Sequence, residues 1–282
     1  MTIHSLANNQ MKLRDGLQIS YYDTGEASGV LAEQSAIVLL HGYCGSSSYW
    51  QNIIPGITGL GRILAPDLRG HGGSSAPDDD VYGMDILAED LLQFIDALQV
   101  ESVYLFGHSL GGYVSLAFAE KHPEKVRSLS LVHSTAMADS EEAKQNRDKA
   151  AAAILADGIE PFVDGLIPKL FAPGHRETMA DKVKEIVAIG YGTSAAGAAA
   201  TARGMKARPD RREVLDKLEV PRLLIAGSED AVIPSEKTFT AEGPNVSHVV
   251  LDGVGHMGMV ESPAAVGERV AAFIRFLSTI RE

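Results

Sequence analysis

The sequence predicts an α/β fold: a mostly parallel, doubly wound sheet with an inserted helical cap. Three observations lead there. Short apolar runs at residues 36–40, 103–106, 126–132 and 222–226 are bounded by polar residues, as expected of strands buried on both faces. Between residues 84 and 133 such runs alternate with amphipathic stretches, an order that calls for parallel strands joined by right-handed crossovers. From residue 134 to 215 the rhythm breaks. No buried strand is evident there, and alanine and charged residues dominate. So long a stretch exceeds an ordinary crossover and reads as an insertion between two strands. The expected division is therefore a core domain of residues 1–133 and 216–282, with a helical cap of residues 134–215.

Taken in order, residues 11–22 form a hairpin. Met11 and Leu13 alternate with polar neighbours, Asp15-Gly16 supplies the turn, and Leu17, Ile19 and Tyr21 alternate again. The strand over 36–40 runs into the glycine-punctuated loop His41-Gly42-Tyr43-Cys44-Gly45. A short helix is expected over 49–54, stopped near Pro55-Gly56. Residues 63–66 form the next strand and lead into Asp67-Leu68-Arg69-Gly70-His71-Gly72-Gly73-Ser74, a loop by composition. Met84, Leu87, Leu91, Phe94, Ile95 and Leu98 recur at helical spacing. Strand, sharp turn and helix then follow through Gly107-His108-Ser109-Leu110-Gly111-Gly112. His122-Pro123 stops that helix. In the insertion, helices are expected near 141–156, 160–171, 177–189 and 194–206. Strands resume at 222–226 and 248–251. Ser262-Pro263 then opens a last helix whose stripe is Val266, Val270, Phe273, Ile274 and Leu277.

Bulk properties narrow the function classes. The 282 residues suffice for a full core, and 45% apolar with 22% charged residues is ordinary for a soluble globular protein. A net charge of −12 repels nucleic acid and anionic membrane surfaces, so neither is expected as a partner. A single cysteine, Cys44, permits no intrachain disulfide. Residues 1–10 are polar, without the apolar core of a signal peptide, and no apolar run approaches membrane-spanning length. A cytoplasmic protein is the expectation.

The chemistry is expected at the glycine-flanked serine. A serine forced into a strand-to-helix turn adopts strained backbone angles, and a Cβ on either flanking glycine would collide with strand or helix. The turn lifts the hydroxyl clear of the sheet at a helix N-terminus, where free N–H groups stabilise an oxyanion. Serine needs a base, and histidine is suited by its pKa. Of nine histidines, His256 is the expected base, because its glycine loop follows a strand at the sheet edge that also carries Ser109. His4 lies in a polar tail, His122 beside a proline, His175 in the insertion, and His248 at a strand start. His133 ends a strand and could face the insertion. His108 cannot turn back to the serine hydroxyl without breaking the elbow. Asp230, in the loop after the 222–226 strand, is expected to orient His256. Its rivals are Glu229, Asp252 and Asp67, of which Asp67 reads as half of an Asp-Arg pair holding its loop. Two N–H groups should form the oxyanion hole: Leu110 after the nucleophile, and Tyr43, with Cys44 as the fallback. His41 is expected to bond its loop.

With these motifs assembled, the chain resembles the α/β-hydrolase fold family. The matching segments are His41-Gly42 with Gly45, residues 66–72, residues 107–112, Gly227-Ser228-Glu229-Asp230 and Gly255-His256, in the order nucleophile, acid, histidine. The resemblance implies a serine hydrolase acting on small to medium carboxylic esters through an acyl-enzyme, with no cofactor and no metal. Members resembling haloalkane dehalogenases or epoxide hydrolases carry aspartate where this chain has Ser109. Carbon–carbon bond hydrolases usually show asparagine at the position of His108 and use a cap arginine, for which Arg203 would be offered. Proline-releasing peptidases typically carry a bulkier residue than Leu110. A haloperoxidase-like side activity, an acyltransferase and a slow-turnover ligand sensor are the alternatives. Phe162, Leu166, Leu170, Phe171 and Met205 are candidate pocket-lining residues of the cap, with Met137 and Met257 adding apolar surface. Cys44, beside the oxyanion loop, suggests sensitivity to bulky thiol reagents.

Overall fold

The structure is a computed structural model that describes residues 5–25, 29–31 and 34–280; His4 and the rest of the extreme N-terminus lie outside them. The strands are β1 (Asn9–Lys12), β2 (Gln18–Asp23), β3 (Ser35–Leu40), β4 (Arg62–Pro66), β5 (Ser102–His108), β6 (Val126–Val132), β7 (Arg222–Gly227) and β8 (Val246–Leu251). They form one sheet in the order β1-β2-β4-β3-β5-β6-β7-β8. The β1–β2 hairpin is antiparallel and β2 lies antiparallel to β4, while every pairing from β4 through β8 is parallel. The Asp15-Gly16 turn forms as expected. Gly16 has φ 93°, and the Asp15 carboxylate accepts the Leu17 N–H at 3.0 Å.

The helices in chain order are α1 (Ile54–Ile57), α2 (Met84–Ala97), α3 (Leu110–Lys121), α4 (Glu141–Asp157), α5 (Ile159–Leu170), α6 (His175–Thr178), α7 (Ala180–Gly190), α8 (Ala195–Ala207), α9 (Arg212–Lys217), α10 (Ser235–Thr238), α11 (Gly258–Glu261) and α12 (Pro263–Thr279). Every residue of β3 and β5 is buried, and alternation divides their side chains between two cores. Ile37, Leu39, Tyr104 and Phe106 pack with Phe273 and Ile274 of α12. Val38, Leu40, Val103 and Leu105 pack on the other side with Phe94 of α2 and Phe118 of α3. Helices thus cover both faces of the sheet, as the alternating pattern requires.

Between β6 and β7 the regular elements are all helices, α4 to α9. Ser140 caps α4, its hydroxyl accepting the Ala143 N–H at 3.2 Å, with Glu141 and Glu142 in the first turn, where the helix dipole favours acids. Val163 and Ile167 of α5, one turn apart, are fully buried in the cluster that holds Cys44, Tyr49 and Trp50. Burying each such side chain is worth roughly 1.5–3 kcal/mol. The single helix expected over 177–189 is instead two, because Met179 leaves helical geometry at φ −116°, ψ 31°. The short helix α9 was not anticipated, and the expected boundary at residue 215 falls inside it. Leu215 is fully buried in the core cluster that contains α2 and α3 residues. Pro263 begins α12 as expected, but the Ser262 side chain makes no capping hydrogen bond. No helix among the described residues is long and apolar enough to cross a membrane.

Candidate active site

Ser109 stands between β5 and α3 at φ 49°, ψ −112°, outside the regions an L-residue ordinarily occupies. What compels the turn is close packing. A Cβ on Gly107 would lie 2.4 Å from the Gly111 carbonyl oxygen, and one on Gly111 would lie 2.4 Å from that of Leu40. The Ser109 N–H donates to the Val132 carbonyl (3.1 Å), and the Ser134 hydroxyl donates to the Ser109 carbonyl (2.7 Å), so the end of β6 and the loop after it clasp the elbow. Gly107→Ala should destabilise the protein by about 1–3 kcal/mol, since the colliding atoms are backbone and cannot step aside. Urea unfolding would show a lower midpoint at unchanged slope. An unchanged midpoint would contradict this account of the elbow.

His256 lies in the loop after β8 and is 3% exposed. Its Nδ1–H donates to Asp230 Oδ2 at 2.8 Å, which leaves Nε2 as the basic nitrogen. Asp230 follows β7. Its Oδ1 accepts the N–H groups of Val232 and Ile233, both at 2.9 Å, and its Oδ2 also accepts His133 Nδ1–H at 3.3 Å. Burial alone would raise the carboxyl pKa, but the His256 and His133 rings override it and hold Asp230 well below the usual carboxylate range. The rival acids are elsewhere. Glu229 is exposed, Asp252 meets the Ser228 hydroxyl at 3.4 Å, and Asp67 accepts the N–H groups of Ser47 and Gly73. Asp67 thus holds loop backbone, though not through the expected partner. Arg69 pairs instead with Asp90 at 2.6 Å, and with Asp15 and Asp79.

The Ser109 hydroxyl makes no hydrogen bond among the described residues, a link that in unliganded enzymes is often long and tightens only with substrate. A different bond joins the two loops. His108 turns away from the elbow and its Nε2 donates to the His256 carbonyl at 3.0 Å, the two rings 5.0 Å apart. Burial, with His256 and His133 nearby, keeps His108 neutral by pushing its pKa well below the ordinary value.

The loop after β3 meets the elbow from the other side. A Cβ on Gly42 would sit 2.5 Å from His108 Nδ1 and 3.4 Å from the Ser109 Cβ, so glycine admits the close approach. The Tyr43 and Leu110 N–H groups make no hydrogen bond to any described residue, which leaves two donors beside Ser109. His41 braces this loop: Nδ1–H donates to the Gly42 carbonyl (2.8 Å), and Nε2 accepts the Leu68 N–H (2.9 Å). Burial lowers its pKa to about 4, so it stays a neutral brace. Cys44 is fully buried and its thiol pKa is driven upward by that burial, which removes the expected sensitivity to bulky thiol reagents.

The candidate lining residues separate. Phe162 and Leu166 line a cavity of about 370 Å³ between α4 and α5, and the Phe162 ring stands edge-on to Tyr43 at 6.0 Å. Leu170, Phe171 and Met257 are instead packed into the cluster with Cys44 and Trp50. Met205 is 1% exposed among the α2 and α3 side chains, because α8 turns that residue toward the sheet. Met137 is half-buried in the loop after β6. Arg203 lies at the surface, donating to the Asp80 carbonyl at 3.0 Å. Glu261 was not anticipated. Its buried carboxylate accepts the N–H groups of Gly255 (3.2 Å) and Met257 (3.0 Å), on either side of His256, and also Ala172 N–H and His175 Nδ1–H. A lone acid just before the Ser262-Pro263 helix start was the only signal for it.

This fold and motif set have a family. The chain belongs to the α/β-hydrolase fold family, whose model matches residues 35–263. Among individual proteins, it is similar to the dihydrolipoyllysine-residue acetyltransferase component of the acetoin cleaving system of Pseudomonas putida, 31% identical over 92% of this chain and 67% of the relative. It is also similar to 3-oxoadipate enol-lactonase 2 of Acinetobacter baylyi, 27% identical over 86% of this chain and 90% of the relative. Among solved structures, a thermophilic esterase from Thermogutta terrifontis superposes with a TM-score of 0.87 at 28% identity, covering 96% of this chain and 99% of the esterase.

Proposed function

We propose that the protein is a serine hydrolase of small to medium carboxylic esters, working through an acyl-enzyme. The reading rests chiefly on the 2.8 Å bond from His256 to Asp230, in a loop tied directly to the strained elbow of Ser109. Ser109 Oγ attacks the ester carbonyl while His256 Nε2 takes its proton. Asp230 fixes the tautomer and stabilises the imidazolium. The Tyr43 and Leu110 N–H groups, free of partners among the described residues, receive the oxyanion, and a hole of this kind typically loses roughly 100- to 1000-fold in turnover when one donor is removed. His256 then protonates the leaving alcohol and activates the water that releases the acid. Helices α4 to α8 act as the cap, with Phe162 and Leu166 as the cap side chains that meet substrate. The names of the relatives agree with ester chemistry: one is an esterase and one an enol-lactonase, a lactone being a cyclic ester.

The resemblance to an acetyltransferase component favours a second reading, in which an alcohol or thiol rather than water accepts the acyl group. Nitrophenyl esters of increasing acyl length, assayed with and without added acceptors, separate the two. The expected result is steady release of free acid from short and medium esters, undiverted by acceptors, with a fluorophosphonate probe attached to Ser109. Labelling at another residue, or no turnover of any ester, would sink the proposal.

A further inference from the structure

His133 holds a position that the mechanism above does not use. It directly follows β6 in a left-handed conformation (φ 48°), is fully buried, and donates through Nδ1 to the same Asp230 oxygen that His256 engages. Asp230 therefore accepts four N–H groups: two from the backbone on Oδ1 and two from imidazoles on Oδ2. The chain makes room for the second ring. A Cβ on Gly258 would lie 2.2 Å from His133 Nε2.

We propose that His133 is a positioning residue that shares Asp230 with His256 and thereby weakens the carboxylate's hold on the His256 proton. The argument rests on the triad reading given above and begins with the tautomer. Facing an anionic oxygen, Nδ1 must carry the hydrogen, since a bare Nδ1 would set lone pair against lone pair. Nε2 is buried with no partner among the described residues, so a second proton there would find no acceptor among them. The charged and titratable groups facing the ring are Asp230, His256, His108 and Glu261. Burial outweighs the two acids and keeps His133 neutral. A neutral, immovable donor on Oδ2 draws off negative charge that would otherwise favour the His256 imidazolium. It also stops the carboxylate rotating away from its partner. An unshared aspartate would hold the His256 proton more tightly, so loss of the His133 donor should strengthen that hold.

The test compares His133→Leu, which removes the donor, with His133→Asn, whose amide nitrogen can replace Nδ1 and whose backbone tolerates the left-handed conformation. Nitrogen NMR would follow the His256 ring, alongside the pH profile of kcat/KM. In His133→Leu the His256 titration and the acid limb should both move up by about 0.5–1 pH unit, and His133→Asn should restore both. The unmodified protein supplies a reading that needs no variant: His133 should remain the neutral Nδ1–H tautomer across the working range. An unmoved titration in folded His133→Leu, a failure of asparagine to restore it, or an Nε2–H tautomer would each overturn the proposal. If Ser109 fails to take the probe while the His256 titration shifts as expected, the ester mechanism falls and the shared carboxylate stands.

Discussion

Ser109→Ala should lose ester turnover on the order of 10⁴-fold or more while leaving stability almost unchanged. The two halves of this expectation have separate causes. The Ser109 side chain makes no hydrogen bond among the described residues, and alanine has the same Cβ, so the strain at φ 49° is neither added nor relieved. On the proposed mechanism, removing Oγ should therefore subtract chemistry and nothing structural. What survives should be the slow rate of a water molecule working against the intact oxyanion donors, because a site with its nucleophile removed still binds and polarises the carbonyl. Steady-state kinetics on a nitrophenyl ester, beside a thermal melt, would check both halves. Retained turnover would remove Ser109 from the mechanism. A collapse in melting temperature would mean that the hydroxyl has a structural task not evident in its surroundings.

How far the sequence carries toward this site depends on the range of each interaction. The elbow, the His41-Gly42 loop, and the loops bearing Asp230 and His256 are legible because each is a short strand-to-loop signal whose glycines answer to local crowding. The sheet is legible because full burial of β3 and β5 demands unbroken apolar runs. Glu261 and His133 are not legible. Glu261 matters through hydrogen bonds to Ala172 and His175, nearly ninety residues away, and His133 through Asp230, 97 residues away. Nothing in their own neighbourhoods announces those partners. Helices α5 and α8 illustrate a third limit. Their periodicity reveals an apolar face, but both a pocket wall and a core demand one, so Phe162 and Met205 look alike until packing separates them.

The bonds behind the site form a chain of supports, each tying one loop to another. His41 joins the loop after β3 to the loop after β4. His108 joins the elbow to the His256 loop, and Glu261 joins that loop to the α5–α6 connection of the helical layer. The His256 N–H itself donates to the Leu170 carbonyl at the end of α5. Buried groups that meet their partners across loops hold side chains to the tolerance catalysis requires. The helical layer is therefore built into the seat of His256, not merely laid over it.

Asp230→Asn should lower turnover by about 10⁴-fold, the scale seen when a triad acid becomes an amide, and the cause can be followed atom by atom. The amide must direct its oxygen at one pair of donors and its nitrogen at the other. If the nitrogen faced the Val232 and Ile233 N–H groups, two backbone donors would lose their acceptor with no means of adjusting. The imidazoles can adjust, by moving their proton to Nε2. The amide nitrogen should therefore face His256 and His133, and both rings should become Nε2–H tautomers. His256 Nε2 would then carry a hydrogen where the mechanism needs a lone pair, and it could not accept the Ser109 proton. Nitrogen NMR would show the change of tautomer directly. The stability profile should change as well. Asp230 is held below the ordinary carboxylate range, so its charge contributes stability above about pH 4, and that contribution is lost as pH falls through its folded pKa. The asparagine variant lacks that contribution at every pH, so its melting temperature should fall furthest behind near neutrality and approach that of the parent protein in acid. A His256 that remained Nδ1–H in the variant, with turnover intact, would show that Asp230 does not set the tautomer on which the mechanism depends.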